Sequence, residues 1–136
     1  MLTCSVIPSE KQHAVTNQDA KQRSGLTVLH VEDDASVAHA VGRMLRRDGY
    51  EVVSVATAEA ALLELGARHF DVIVSDFNLA GLGSGADVLA ACGSTPFLFL
   101  TSDDRAGGYG VLRLEKPCAP SAIRAAIESL LARTAA

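Results

Sequence analysis

Apolar residues in this chain come in short blocks separated by polar, often glycine-bearing breaks. Five blocks read as strands: LTVLHV (26–31), EVVSV (51–55), DVIVSD (71–76), PFLFLT (96–101) and GVLRLE (110–115). The continuous run Val72, Ile73, Val74 is the pattern of a strand covered on both faces. Between the strands the period changes. In ASVAHAVGRMLRRDG (35–49), Val37, Val41, Met44 and Leu45 recur at helical spacing, and Gly49 is the stop. Thr57 is the expected N-cap of AEAALLELGARH, whose Ala61, Leu62 and Leu65 supply one apolar stripe. ADVLAAC (86–92) predicts a short helix. Pro120 falls in the first turn of a last helix, with Ile123, Ile127, Leu130 and Leu131 on one face.

Strands alternating with helices predict right-handed crossovers and a doubly wound α/β fold around a parallel sheet. In such a sheet every strand points the same way, so the groups that follow strand C-termini gather at one edge, where these folds bind ligands. The 136 residues suit one domain able to bury a core without disulfides or structural metal. Residues 1–25 are mostly polar, lack sustained periodicity and end in Ser24-Gly25, which predicts a flexible leader before a domain spanning 26–136.

Charge and cysteine usage narrow the classes. Net charge is −4, and the one basic cluster, RMLRR at 43–47, is too small for the broad cationic face that nucleic-acid binding needs. Cys4, Cys92 and Cys118 lie far apart with no metal-ligand spacing, against a zinc site or a disulfide framework. No apolar run approaches the roughly 20 residues of a membrane span, and the N-terminus lacks a signal-peptide core, so the expected location is cytoplasmic.

The strand ends carry the candidate chemistry. Glu32, Asp33 and Asp34 follow the first strand, Asp76 the third, Thr101 the fourth and Lys116 the fifth. Carboxylates converging there without a cation would repel and raise one another's pKa. Oxygen ligands from Asp33 and Asp76, with waters and a backbone carbonyl, suit Mg²⁺. Lys116 can neutralise an anion and Thr101 can donate to one, a set suited to a phosphoryl group on Asp76. Each residue alone has an ordinary explanation. Asp76 would start a turn, Asp33 or Asp34 would cap the first helix, Thr101 would be a strand residue and Lys116 a solvated lysine. Their coincidence at strand ends is what points to a site.

With LHVEDD, IVSDFN, FLT and EKP in this order, the chain resembles a bacterial response-regulator receiver domain over residues 26–133. The resemblance implies a flavodoxin-like fold with strand order 2-1-3-4-5 and Asp76 as the residue phosphorylated by a histidine kinase or histidine phosphotransferase. It places Glu32 and Asp33 as the acidic pair, the carbonyl of Asn78 in the Mg²⁺ sphere, Thr101 and Lys116 on the phosphoryl group, and a cis bond between Lys116 and Pro117. Two departures stand out. Fifteen positions separate Thr101 from Lys116, about two helical turns fewer than the family usually shows, and the interval SDDRAGGYG is rich in glycine. A shortened or irregular fourth helix is therefore expected. The position three before the lysine, usually an aromatic switch, is Arg113. The short interval with PFLFLT is similar to single-domain receivers of the FAT GUY type, although Leu100, Ser102 and Asp103 depart from that motif.

Two functions compete. A phosphoacceptor signalling module would dock to a kinase, a phosphotransferase or another regulator, and residues 134–136 leave no room for an output domain. It would catalyse only its own phosphorylation and dephosphorylation. A phosphatase resembling the haloacid dehalogenase superfamily would use the same Asp, Thr, Lys and Mg²⁺. Those phosphatases commonly carry an Asp general acid two residues after the nucleophile, where this chain has Asn78, and no segment here supplies a cap domain. The signalling module is the expectation.

Overall fold

In the computed structural model, which describes residues 25–135, the apolar runs become a five-stranded parallel sheet in the order β2-β1-β3-β4-β5. The strands are β1 (Thr27–Val31), β2 (Glu51–Val55), β3 (Val72–Ser75), β4 (Phe97–Leu100) and β5 (Leu112–Leu114). Four α-helices connect and flank them: α1 (Ala35–Arg47), α2 (Ala58–Ala67), α3 (Gly85–Ala90) and α4 (Pro120–Ala135). Between β4 and β5 there is no α-helix but a 3₁₀ segment, Asp104–Tyr109. The expected leader, residues 1–25, lies outside the described residues except for Gly25.

Every residue of β1, β3 and β4 is buried, whereas β2 and β5 are partly exposed at the sheet edges. Side chains alternate across the sheet and so feed two cores. Val28, Val72, Val74, Leu98 and Leu100 face Val41 and Leu45 of α1 and Ile123, Ile127 and Leu130 of α4. Leu29, Val31, Ile73, Phe97 and Phe99 pack with Ala58, Ala61, Val88 and Ala106 on the opposite side. Each fully buried aliphatic side chain contributes about 1.5–3 kcal/mol relative to exposure.

Helix starts follow side-chain chemistry. Asp34 caps α1, accepting from the N–H groups of Ser36 and Val37 at 3.0 and 3.2 Å, and Thr57 caps α2 through the Ala60 N–H at 3.0 Å. Ser84 and Asp87 form a capping box at α3. Helix α1 stops where Gly49 takes φ 103°, a conformation that favours glycine. There Asp48, fully buried, receives two hydrogen bonds from Arg124 of α4 at 2.7 and 3.2 Å, which ties the two helices of that face together.

One apolar stripe differs from expectation. In α2 the buried positions are Ala58 and Ala61, while Leu62 is 41% and Leu63 77% exposed. Ala61 and the partly buried Leu65 pack against the core as expected, and Leu62, with the neighbouring Leu63, is displaced outward.

Candidate functional site

All five strands end at the same edge, and their following residues meet there. Glu32 continues directly from β1 and is buried, its backbone N–H held by the Val55 carbonyl at 2.9 Å. Asp33 is exposed beside it, and Asp34 turns away to cap α1. Thus of the two candidates for a helix cap, Asp34 takes that role and Asp33 is left to the site. Asp76 follows β3, with its N–H bonded to the Val31 carbonyl at 2.9 Å, so β1 fixes the height at which its side chain emerges.

Lys116 reaches across the edge from the end of β5. Its ammonium donates to Glu32 Oε1 at 2.5 Å and to Asp76 Oδ2 at 2.7 Å. The Lys116–Pro117 peptide is cis, as the resemblance implies. Thr101, at the end of β4, is buried, and its Oγ1 accepts the Asp103 N–H at 3.2 Å. Asn78 lies in the loop after Asp76; its N–H donates to Asp76 Oδ1 at 3.3 Å, while its side-chain amide turns to Asp103 and Arg105.

The electrostatics follow from this crowding. Burial raises the pKa of Glu32, and the hydrogen bond from Lys116 only partly offsets that rise. Burial pulls Lys116 down, but its bonds to Asp76 and Glu32 outweigh the burial and the net shift is upward. His30, on β1 beneath the site, has no hydrogen-bond partner at Nδ1, and burial, then Lys116 and Arg46, push it down to about 4. At neutral pH it is therefore uncharged.

Oxygens of Glu32, Asp33 and Asp76 come within 4.8 Å of one another. An all-oxygen, multiply anionic donor set with one exposed member fits a hard divalent cation that keeps part of its water, and Mg²⁺ is such an ion. The backbone packs tightly under this cluster. Gly85 opens α3, and a Cβ there would run into the Asp76 carbonyl oxygen and come within 2.8 Å of Phe99 and 2.9 Å of the Phe77 backbone.

The family model of the response regulator receiver domain matches residues 28–128. The chain belongs to that family. Receiver domains serve response regulators in two-component signalling, and aspartate phosphorylation and Mg²⁺ binding at an acidic pocket are general to them. The assignment selects the receiver over the haloacid dehalogenase-like alternative. Among curated relatives, the sensory transduction protein RegX3 of Mycobacterium tuberculosis is 37% identical over 81 residues, which cover 57% of this chain and 35% of RegX3. The chain thus matches about a third of that relative's length. Among solved structures, a putative response regulator from Chloroflexus aurantiacus superposes with a TM-score of 0.72 at 30% identity, covering 79% of this chain and 98% of that one. The receiver domain of sensor histidine kinase PA1611 from Pseudomonas aeruginosa, whose structure holds a magnesium ion in its active-site cleft, gives a TM-score of 0.74 at 24% identity, covering 80% and 99%.

The structure brings Glu32, Asp33, Asp76, Thr101 and Lys116 to one edge, with Asn78 on its rim. Two further residues at that rim, Asp103 and Arg105, were not visible as site residues in the sequence. The one signal for them is Asp103 as an N-cap for the segment that follows, which it is: its Oδ1 accepts the Arg105 N–H at 2.9 Å. Among the described residues no helix is long and apolar enough to cross a membrane.

Proposed function

We propose that Asp76 is the phosphoacceptor of this receiver domain and that the chain works as a single-domain response regulator, signalling by phosphorylation-dependent docking. The observation that carries the assignment of Asp76 is Lys116 placed between Asp76 and Glu32 at a three-carboxylate edge. An Asp76 carboxylate oxygen attacks the phosphorus of a phosphohistidine on a kinase or phosphotransferase. The P–O bond forms as the P–N bond breaks, and the imidazole leaves with the electron pair and takes a proton from solvent. Lys116 shifts from the Asp76 carboxylate to a phosphoryl oxygen, and Thr101, whose Oγ1 accepts the Asp103 N–H before transfer, turns and donates its hydroxyl proton to another. Glu32, Asp33, Asp76 and the Asn78 carbonyl would hold Mg²⁺, which offsets the charge of the transferred group.

The donor has a place to dock. An apolar groove of about 340 Å³ opens beside Lys116 between α1 and the start of α4, lined by Val37, Met44, Pro117 and Ile123. His39, Arg43 and Arg47 stand next to it. Such a protein meets its donors in the cytoplasm, and its output partner is another protein, for example a second regulator. The reading is tested by fluorine NMR of beryllofluoride binding. Wild type should bind in the presence of Mg²⁺ only, and Asp76→Asn should not bind. Binding that survives in Asp76→Asn would remove Asp76 as acceptor.

A further inference from the structure

The loops that follow Asp76 and Thr101 are joined by a polar network that none of the steps above uses. Asn78 Nδ2 donates to Asp103 Oδ2 at 2.9 Å. Arg105 donates from Nη2 to the same Asp103 oxygen at 2.6 Å, and from Nε to both oxygens at 3.1 and 3.2 Å. Its Nη2 also donates to Asn78 Oδ1 at 3.3 Å, and its guanidinium lies 5.2 Å from the centre of the Phe77 ring. Arg105 is thus 72% exposed and yet held at three points.

This network touches the acceptor chemistry twice. The Asn78 N–H bonds Asp76 Oδ1, and the Asp103 N–H bonds Thr101 Oγ1. Asp103 is therefore a fourth carboxylate at the mouth of the site, only 15% exposed. Its two oxygens accept from the side chains of Arg105 and Asn78 and from no other side chain among the described residues. An incoming phosphoryl group carries negative charge to the same place. Left without a cation, Asp103 would repel it.

We propose that Arg105 is a positioning residue for phosphoryl transfer, cancelling the charge of Asp103 and fixing Asn78 so that the site admits an anionic phosphoryl donor. The inference rests on Asp76 as the acceptor and adds to it the control of which charge stands at the entrance. The guanidinium suits this role because it binds both Asp103 oxygens while its Cζ lies over the Phe77 ring. A lysine would keep the charge and lose the fork.

The test is the initial rate at which the full chain is phosphorylated by acetyl phosphate with Mg²⁺, followed by intact mass. Arg105→Gln should slow the reaction about three- to tenfold, the effect of one unbalanced charge at the rim of the site in partly screened surroundings. Added salt should shrink the deficit. Asp103→Asn keeps an N-cap acceptor, and combined with Arg105→Gln it should restore the wild-type rate, while Arg105→Lys should recover most of it. An unchanged rate in Arg105→Gln overturns the proposal. So does a deficit that neither salt nor Asp103→Asn relieves, because Arg105 would then act only by holding the segment together. Either result leaves Asp76 as acceptor so long as the wild type takes the label; a wild type that takes none overturns both.

Discussion

Gly85→Ala sets two effects of opposite sign against each other beside the candidate acceptor. Alanine is the better helix former by up to about 1 kcal/mol, and it removes freedom from the unfolded chain worth about 0.4–1 kcal/mol. Local propensity therefore predicts stabilisation. The structure predicts the reverse. A Cβ on Gly85 would come within 2.8 Å of Phe99 Cε1 and 2.9 Å of Phe77 Cα, and would overlap the Asp76 carbonyl oxygen. Two of these three atoms are backbone. The third belongs to a fully buried ring packed edge-on against Phe97 at 4.9 Å and Phe77 at 5.6 Å, which has nowhere to go. The Gly85 N–H, bonded to the Phe77 carbonyl at 2.7 Å, keeps the helix from sliding away. Overpacking of this kind costs typically about 1–3 kcal/mol, and more where backbone must move. Sterics should win, leaving Gly85→Ala less stable by about 1–2 kcal/mol, a fall in Tm of roughly 4–10 °C. Gly66→Ala is the control: it lies exposed in α2 with nothing within 4 Å of its Cβ position, and should gain about 0.5–1 kcal/mol. Urea titration of both variants at equal m-value is the assay. A Gly85→Ala protein as stable as wild type, or a Gly66→Ala protein equally weakened, would refute the packing account.

Other substitutions separate neighbouring acids. Asp33→Ala should weaken Mg²⁺ binding in calorimetry, whereas Asp34→Ala should leave the metal largely alone and cost about 1 kcal/mol of stability through the lost cap of α1. Beryllofluoride should change hydrogen-exchange protection in residues 102–113 more than elsewhere, because a Thr101 that turns to the phosphoryl group gives up the Asp103 N–H it now holds; a change confined to α1 or α4 would place the output surface there instead. A chain beginning at Leu26 should fold and accept phosphate as the full chain does; loss of either property would give residues 1–25 a structural role.

The parts of this fold that sequence shows most clearly are those governed by local chemistry. VIV and FLFL are apolar without interruption and become buried central strands, and Thr57 and Pro120 sit at the helix starts their side chains favour. The stripe of α2 was less legible, since a three-to-four period admits Leu62, and only the close approach of helix to sheet selects Ala58 and Ala61. Among the acids, sequence shows three in a row after β1 but cannot divide the roles; the backbone turn assigns Asp34 to the helix and Asp33 to the edge. The pairing of Asn78 with Asp103 and Arg105 joins residues 25 and 27 positions apart, and no local pattern encodes it. Arg113 reads as a charged residue where the family usually has a ring. In the structure it reaches Asp104 at 3.4 Å, and Tyr109, from the 3₁₀ segment, packs against Phe77 and Phe99.

Chemical mapping of the phosphorylated residue tests the central claim most directly. The full chain is phosphorylated by acetyl phosphate in Mg²⁺ and treated with borohydride, which reduces an aspartyl phosphate to homoserine, and the peptides are then read by mass spectrometry. Homoserine should appear at position 76 alone and be absent from Asp76→Asn and from samples prepared with a chelator. Homoserine at Asp33 or Asp103, or label that persists in Asp76→Asn, would contradict the assignment of Asp76 as the phosphoacceptor.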